Sequence, residues 1–230
     1  MLASDGSSYI PEGTSATFEV GAFQIARWCI TNAQFDTFID GDYHNEQWWH
    51  YCDTAFAYHK GGYEPVAPRY THVSFPRVQV SWYEAIAFCL WLSFQTGQNI
   101  MLPTEQQWMR AAQGDKKRIY AWGNGKPSEQ LVNWNKSVDQ LNPIDKVDSH
   151  RLQAERQPYG LYNMTGNVNE WCLTDYKTGE QDIHQDAEVR VIKGGSWSTT
   201  KAEHLRLVFR GIGVAEFGNP GTGFRIVRAL

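Results

Sequence analysis

Residues 159–171 read Tyr159-Gly160-Leu161-Tyr162-Asn163-Met164-Thr165-Gly166-Asn167-Val168-Asn169-Glu170-Trp171. The stretch concentrates what distinguishes the whole chain: aromatic rings set among glycines and polar turn residues. Ten Trp, eleven Tyr and eleven Phe make 14% of the sequence, beside 20 Gly. Such a mixture points to a loop-rich fold whose irregular segments are pinned by large side chains; a helix bundle would carry far more Leu and Ala. At 230 residues the chain suits one large domain, read as 1–230. It is long enough to bury a core without disulfide or metal staples.

Working outward, three helices announce themselves by one device. Thr31-Asn32-Ala33-Gln34, Ser81-Trp82-Tyr83-Glu84 and Thr104-Glu105-Gln106-Gln107 are capping boxes. In each, a hydroxyl and a later carboxylate or amide satisfy backbone donors that the first turn leaves unpaired. The first runs through Phe35, Phe38 and Ile39 to Gly41, the second through Ile86, Phe88, Leu90, Leu92 and Phe94 to Gly97, and the third through Trp108, Met109 and Ala112 to Gly114. Short strands are expected at 17–25, 78–80, 190–193, 205–210 and 223–227. The stretches 42–75, 113–160 and 176–188 carry no regular period. Irregular segments of that length carry function or belong to a loop-rich fold. The expected class is α+β, with few short strands and two to three helices.

The charge balance excludes several functions. Lys and Arg number 21 against 25 Asp and Glu, a net charge of −4. That leaves no electrostatic footprint for nucleic acid and no polybasic membrane patch. Mean hydropathy is −0.50, and no apolar run approaches the ~20 residues of a membrane span. Met1-Leu2-Ala3-Ser4-Asp5-Gly6 has neither the basic nor the apolar part of a secretory signal, so the expected compartment is the cytoplasm. The expected partner is a protein or a small ligand, with no nucleic acid and no membrane. Cys29, Cys52, Cys89 and Cys172 form no C-x-x-C. Cys29, Cys89 and Cys172 sit in apolar company and read as buried free thiols. Cys52, in a loop rich in Trp and His, is the one candidate for unusual chemistry.

Seven segments in order, the opening stretch among them, resemble the formylglycine-generating enzyme and sulfatase-modifying-factor family. The others are Phe23-Gln24-Ile25-Ala26-Arg27 leading into Ile30–Phe35, Pro76–Ala85, Leu102-Pro103-Thr104-Glu105-Gln106-Gln107-Trp108, Tyr120-Ala121-Trp122-Gly123-Asn124, Gly194-Gly195-Ser196-Trp197 and Gly223-Phe224-Arg225. The resemblance covers the chain from about residue 18 to its end. It implies a variant of the C-type-lectin-like fold, while fold alone does not fix activity.

The family's oxidases use two cysteines just after Gly-Gly-Ser to bind copper, since soft thiolates select Cu(I). Here no cysteine follows Cys172, and Thr199 and His204 lie near where the pair would fall. No copper is expected, no catalytic residue is assigned, and whether the chain is an enzyme stays open, leaning towards not. A second branch holds iron through histidines of an extra helical domain. His44, His50 and His59 share a loop here, but their spacing matches no local metal motif. Ser196 with His204 and Asp175 lacks the strained elbow of a serine nucleophile.

The resemblance also implies a structural Ca²⁺, held by the Asn163 side chain, carbonyls near Gly166 and Val168, and the Glu170 carboxylate. The alternative is that the asparagines bond the loop and Glu170 pairs with a cation. A second family site would use Asn133 and a downstream acidic loop, which departs from the pattern.

In the family, 198–222 lies on the substrate face. Its candidate ligand-binding residues are Trp197, just before it, with Ser198, Thr199, Lys201, Glu203, His204, Arg206, Phe209, Ile212, Val214, Glu216, Phe217 and Asn219. Ile212, Val214 and Phe217 on a Gly-rich loop are either apolar contacts for a partner or ordinary loop anchors. Variable proteins of diversity-generating retroelements resemble this family too. Their adenine-directed mutagenesis of AAC-like codons does not yield Lys, Glu, Gln, Met or Trp, and from 211 to 222 only Glu216 is one of those five. Three readings follow: a non-catalytic binding domain, retroelement-diversified or not; an accessory subunit of a family enzyme; and an oxygen- or metal-dependent enzyme with another site.

Overall fold

In the computed structural model, which describes residues 2–4, 18–136 and 144–230, all three capping boxes form. Helix α1 (Asn32–Asp42) starts behind Thr31, whose hydroxyl accepts from the Gln34 N–H while the Gln34 amide oxygen accepts from the Thr31 N–H. It runs through Gly41 rather than stopping there. A further helix, α2 (Asp53–Lys60), precedes α3 (Trp82–Thr96), which is capped by Ser81 and Glu84 and closed by Gly97 in the left-handed region. Helix α4 (Glu105–Gln113) is capped by Thr104 and Gln107 and closed by Gly114. The short α5 (Arg151–Arg156) follows.

Neither α2 nor α5 was expected, and both lack a local side-chain cap. For α2 the cap comes from far along the chain. Asp186 accepts from the Thr54 N–H at 3.3 Å and from its hydroxyl at 2.7 Å. Those bonds hold the Asp186 carboxyl below its ordinary range. The same loop bonds this region again through the His184 ring and the Tyr51 carbonyl, 2.8 Å apart.

Two four-stranded sheets organise the strands. Strands β1 (Leu2–Ser4), β2 (Phe23–Ile25), β3 (Ile100–Met101) and β8 (Val227–Ala229) form one, in the order β1-β2-β8-β3. Strands β4 (Asn169–Asp175), β5 (Val189–Lys193), β6 (Gly211–Val214) and β7 (Thr222–Gly223) form the other, in the order β6-β5-β4-β7. All pairs are antiparallel except β4 with β7.

Several expected strands are corrected. Of 17–25 only Phe23–Ile25 is a strand, and Thr17 lies outside the described residues. Segment 78–80 is not one, because Gln79 sits at φ +60° and sends its N–H to the Asn219 carbonyl. Left-handed backbone breaks a ladder. Segment 205–210 turns Leu205 and Leu207 inward, yet the Leu207 N–H goes to Ile119 and the Phe209 N–H closes on Arg206. The strand begins one residue later. Segment 223–227 divides: Gly223 belongs to β7, Val227 to β8, and Phe224–Ile226 cross between the sheets. Strand β4 was missed because both its faces are buried, which erases the alternation.

The largest core cluster joins α1 and α3 to the second sheet, with Phe35, Phe38, Phe88 and Phe224 in mutual ring contact and Trp82 and Trp171 wholly buried. Truncating one of these rings to Ala costs about 3–5 kcal/mol by transfer and cavity effects. A second cluster packs Trp108, Leu161, Cys172, Val191 and Leu207.

Candidate functional site

Both ends of the segment 194–225 are fastened to the stretch 159–171. At its start the Gly194 carbonyl accepts from the Gly166 N–H, and the Trp197 N–H donates to the Asn167 carbonyl, each at 2.8 Å. Gly195 has φ +72°, and a Cβ there would lie 2.7 Å from Leu205, so only glycine lets the chain turn back against the Ala202–Leu205 turn. At its end β7 runs parallel to the start of β4, and Arg225 enters the core.

Arg225 is the knot of this arrangement. Its Nε and Nη2 bind the two Glu170 carboxylate oxygens, both at 2.7 Å. Its remaining donors reach the carbonyls of Ala26, Arg27 and Tyr162. The Trp108 indole donates to Glu170 Oε2 at 2.7 Å, and the Cys29 thiol to Oε1 at 3.3 Å. Glu170 and Arg225 are both fully buried. A bidentate pair with every donor satisfied is the geometry in which a buried charge is tolerated.

That geometry bears on the Ca²⁺ expectation. Both Glu170 oxygens face Arg225, Trp108 and Cys29, leaving no carboxylate edge for a cation. The Gly166 carbonyl accepts from Val168, and the Asn163 amide donates to the Val147 carbonyl. Glu170, so paired, does not fit the ion. The arrangement is the other one read from the sequence, with Asn163 and Asn167 bonding the loop and Glu170 paired with a cation. Asn133 likewise bonds Asn167, and 137–143 of the loop after it lie outside the described residues.

Between its fastened ends the segment faces outward. Ser198, Lys201, Glu203 and Asn219 are exposed, while Thr199, His204, Arg206, Phe209 and Glu216 are half-buried. The His204 ring stacks on Phe209 at 4.3 Å. Ile212, Val214 and Phe217 are 55%, 40% and 58% exposed, so they are surface groups and not anchors. Ile212 and Val214 project from one face of β6, the edge strand, while Gly213 between them lies against Trp171. Trp197, expected among the ligand contacts, lies in the core. It is 2% exposed and packs with Tyr70, Val78, Val147 and Val168, where a ligand cannot reach it. Beneath the segment, the buried Lys193 ammonium donates to the Phe209 carbonyl at 2.7 Å, and burial draws its pKa down against the opposing pull of Glu105.

A cleft of about 300 Å³ opens beside β6, lined by Thr54, Tyr83, Asp186, Ala187, Glu188, Val214 and Glu216. Tyr63 leans over this side, with its hydroxyl donating to Glu216 at 3.1 Å and its ring stacked on Tyr58. Only Val214 and Glu216 were read from the sequence. The others come from 42–75 and 176–188, whose length without regular period was the one signal available, and from the start of α3.

The cysteines offer no oxidase centre. All four are free and buried, and burial raises the pKa of every thiol. Where the resemblance places the catalytic pair, the Thr199 hydroxyl accepts from the Ser196 N–H at 2.9 Å and His204 is stacked.

Residues 4–230 match the Sulfatase-modifying factor enzyme 1-like domain. A Bos taurus protein, Inactive C-alpha-formylglycine-generating enzyme 2, is 31% identical over 190 residues, covering 77% of this chain and 58% of the relative. The chain thus spans little more than half the length of the curated relatives it matches first. Among solved structures, PvdO from Pseudomonas aeruginosa superposes with a TM-score of 0.72 at 20% identity, covering 95% of this chain and 85% of that one. Treponema denticola variable protein 1 does so with 0.68 at 18% identity, covering 100% and 95%. The shared architecture is α+β and loop-rich, with few helices and short strands. Among the described residues no helix is long and apolar enough to cross a membrane.

Proposed function

We propose that this chain, which belongs to the sulfatase-modifying factor enzyme 1-like family, is a non-catalytic domain that binds a protein or small ligand through segment 198–222. The observation that carries this reading is the exposure of Ile212, Val214 and Phe217 on a segment whose backbone is fastened at both ends. Apolar side chains held out on a rigid frame supply contact area at little ordering cost. The cleft beside Val214 and Glu216 adds a concave element with acidic walls. The absence of cysteine after Cys172 argues against the family oxidation, and a relative named as inactive accords with that.

Diversification by a retroelement is the specific form of this reading. Its support is the residue content of 211–222 and a shared fold with a protein named as variable. Sequencing the DNA around the gene in several isolates tests it. A reverse transcriptase beside a near-copy of codons 190–225, differing at adenines, is the expected result. A constant C-terminus beside an ordinary sulfatase or enzyme gene moves the reading to an accessory subunit or to an enzyme with another site. Incubation with a cysteine-containing sulfatase-type peptide, with and without copper, is expected to yield no formylglycine; turnover above a protein-free blank would establish an enzyme instead.

A further inference from the structure

A second pocket, of about 380 Å³, opens between the chain leaving α4 and the end of α5, lined by Lys116, Lys117, Arg118, Trp122, Asn124 and Arg156. Four cations share one concavity, with no carboxylate in its wall among the described residues, in a chain whose net charge is −4. The acid next to them in sequence, Asp115, is engaged by the Arg110 guanidinium at 2.7 Å. Among the described residues Lys116, Lys117 and the Arg156 side chain have no hydrogen-bond or ion-pair partner.

The pocket is built rather than a chance meeting of flexible side chains. Arg118 Nη1 donates to the carbonyls of Arg156 at 2.6 Å and Ala121 at 3.3 Å, which fixes the guanidinium. Its Nε is buried without a partner. The floor is closed on itself: the Asn124 side-chain oxygen accepts from the Ile119 N–H, and Tyr120 and Gly123 exchange backbone bonds. Trp122 stacks on Tyr120 at 4.7 Å, with its indole donating to the Gly125 carbonyl. Burial lowers the Arg118 pKa, the mark of a cation short of counter-charge.

We propose that this pocket binds a multiply charged oxyanion, the phosphate ester of a small ligand, between Arg118, Arg156 and the two lysines. A lone carboxylate or sulfate ester would neutralise one of four charges, whereas a phosphate monoester carries close to two and presents three oxygens to forked guanidinium donors. The concavity is open and of a size for one such group, and the net negative charge elsewhere provides no track for nucleic acid. The site is independent of the 198–222 reading.

Calorimetric titration of the full chain at low ionic strength tests the assignment, with pyrophosphate, phenyl phosphate and phenyl sulfate as probes. The two phenyl esters share a shape and differ in charge, so phenyl phosphate is expected to bind more tightly than the monoanionic phenyl sulfate; equal affinity for the two overturns the requirement for a multiply charged group. One anion per chain is expected, weakened at least tenfold by Lys117→Glu with Arg156→Glu, and weakened again by added salt. Both changes are at exposed positions, so circular dichroism should be unaltered. Arg118→Gln provides a second variant, expected to lose binding while Lys126→Gln keeps it. No saturable heat with any probe, or heat unchanged in the double variant, overturns the proposal. So does affinity for single-stranded oligonucleotides that grows with their length.

Discussion

The stretch 159–171 and the segment 198–219 lie against each other and are built on opposite terms. In the first, polar groups are buried and matched: Glu170 meets Arg225 and Trp108, and Asn163 and Asn167 bond carbonyls. In the second, apolar groups stand in solvent, while the backbone beneath them is held by Gly195, Lys193 and the β5 ladder. Shape is therefore fixed by one set of residues and surface chemistry by another. Apart from the buried Leu205, Leu207 and Ala215, the side chains of this segment do not hold its backbone and can change without changing its course.

Substitutions can sharpen or break this contrast. The largest effect belongs to Glu170→Ala, which strands the Arg225 guanidinium in the core. A loss of about 3–5 kcal/mol is expected in urea unfolding, and a loss below about 1 kcal/mol would mean that the pair does not fasten the segment. Next comes Gly213→Val, because a Cβ at Gly213 falls 2.1 Å from Trp171 Cζ3. Overpacking of that kind costs about 1–3 kcal/mol. Its neighbours should behave differently. Ile212→Asp, Val214→Asp or Phe217→Asp is expected to stay within about 0.5 kcal/mol, read as a melting temperature within a few degrees of the parent. A collapse would make these side chains anchors and erase the contrast. The smallest effect concerns Ca²⁺. A bound ion would stabilise by mass action, so millimolar Ca²⁺ against EDTA is expected to leave the melting temperature within about a degree. A clear rise would show that Glu170 can leave Arg225 for the ion.

What the sequence revealed depended on where each element's determinants lie. Helices α1, α3 and α4 carry their own caps within four residues, so Thr31, Ser81 and Thr104 declared them. The cap of α2 is Asp186, 132 residues away, and α5 follows a left-handed His150 with no side-chain cap. No local pattern could announce either. The same logic governs the site. The exposed Ile212 and Val214 were legible because Gly211 and Gly213 flank them in a short Gly-rich run. Thr54, Tyr83 and Asp186 reach the cleft only through tertiary contacts, and Trp197 looked available until Tyr70 and Val78 closed over it. The Arg118 pocket was hidden because its cations come from 116–118 and 156, each an ordinary solvated run by itself.

The remote cap on α2 has a consequence for how the molecule loosens. A helix whose first turn depends on Asp186 is as durable as the loop that delivers it, so 50–60 and 182–188 should open together, as one unit of amide exchange. Acid reaches that unit directly. The native Asp186 carboxyl titrates below its unfolded value, so its contribution is whole above the usual aspartate range near 3.9 and fades as pH falls through the lower native value. Strong acid, below the ordinary aspartate range, would therefore fray the wall of the cleft through the loss of this cap.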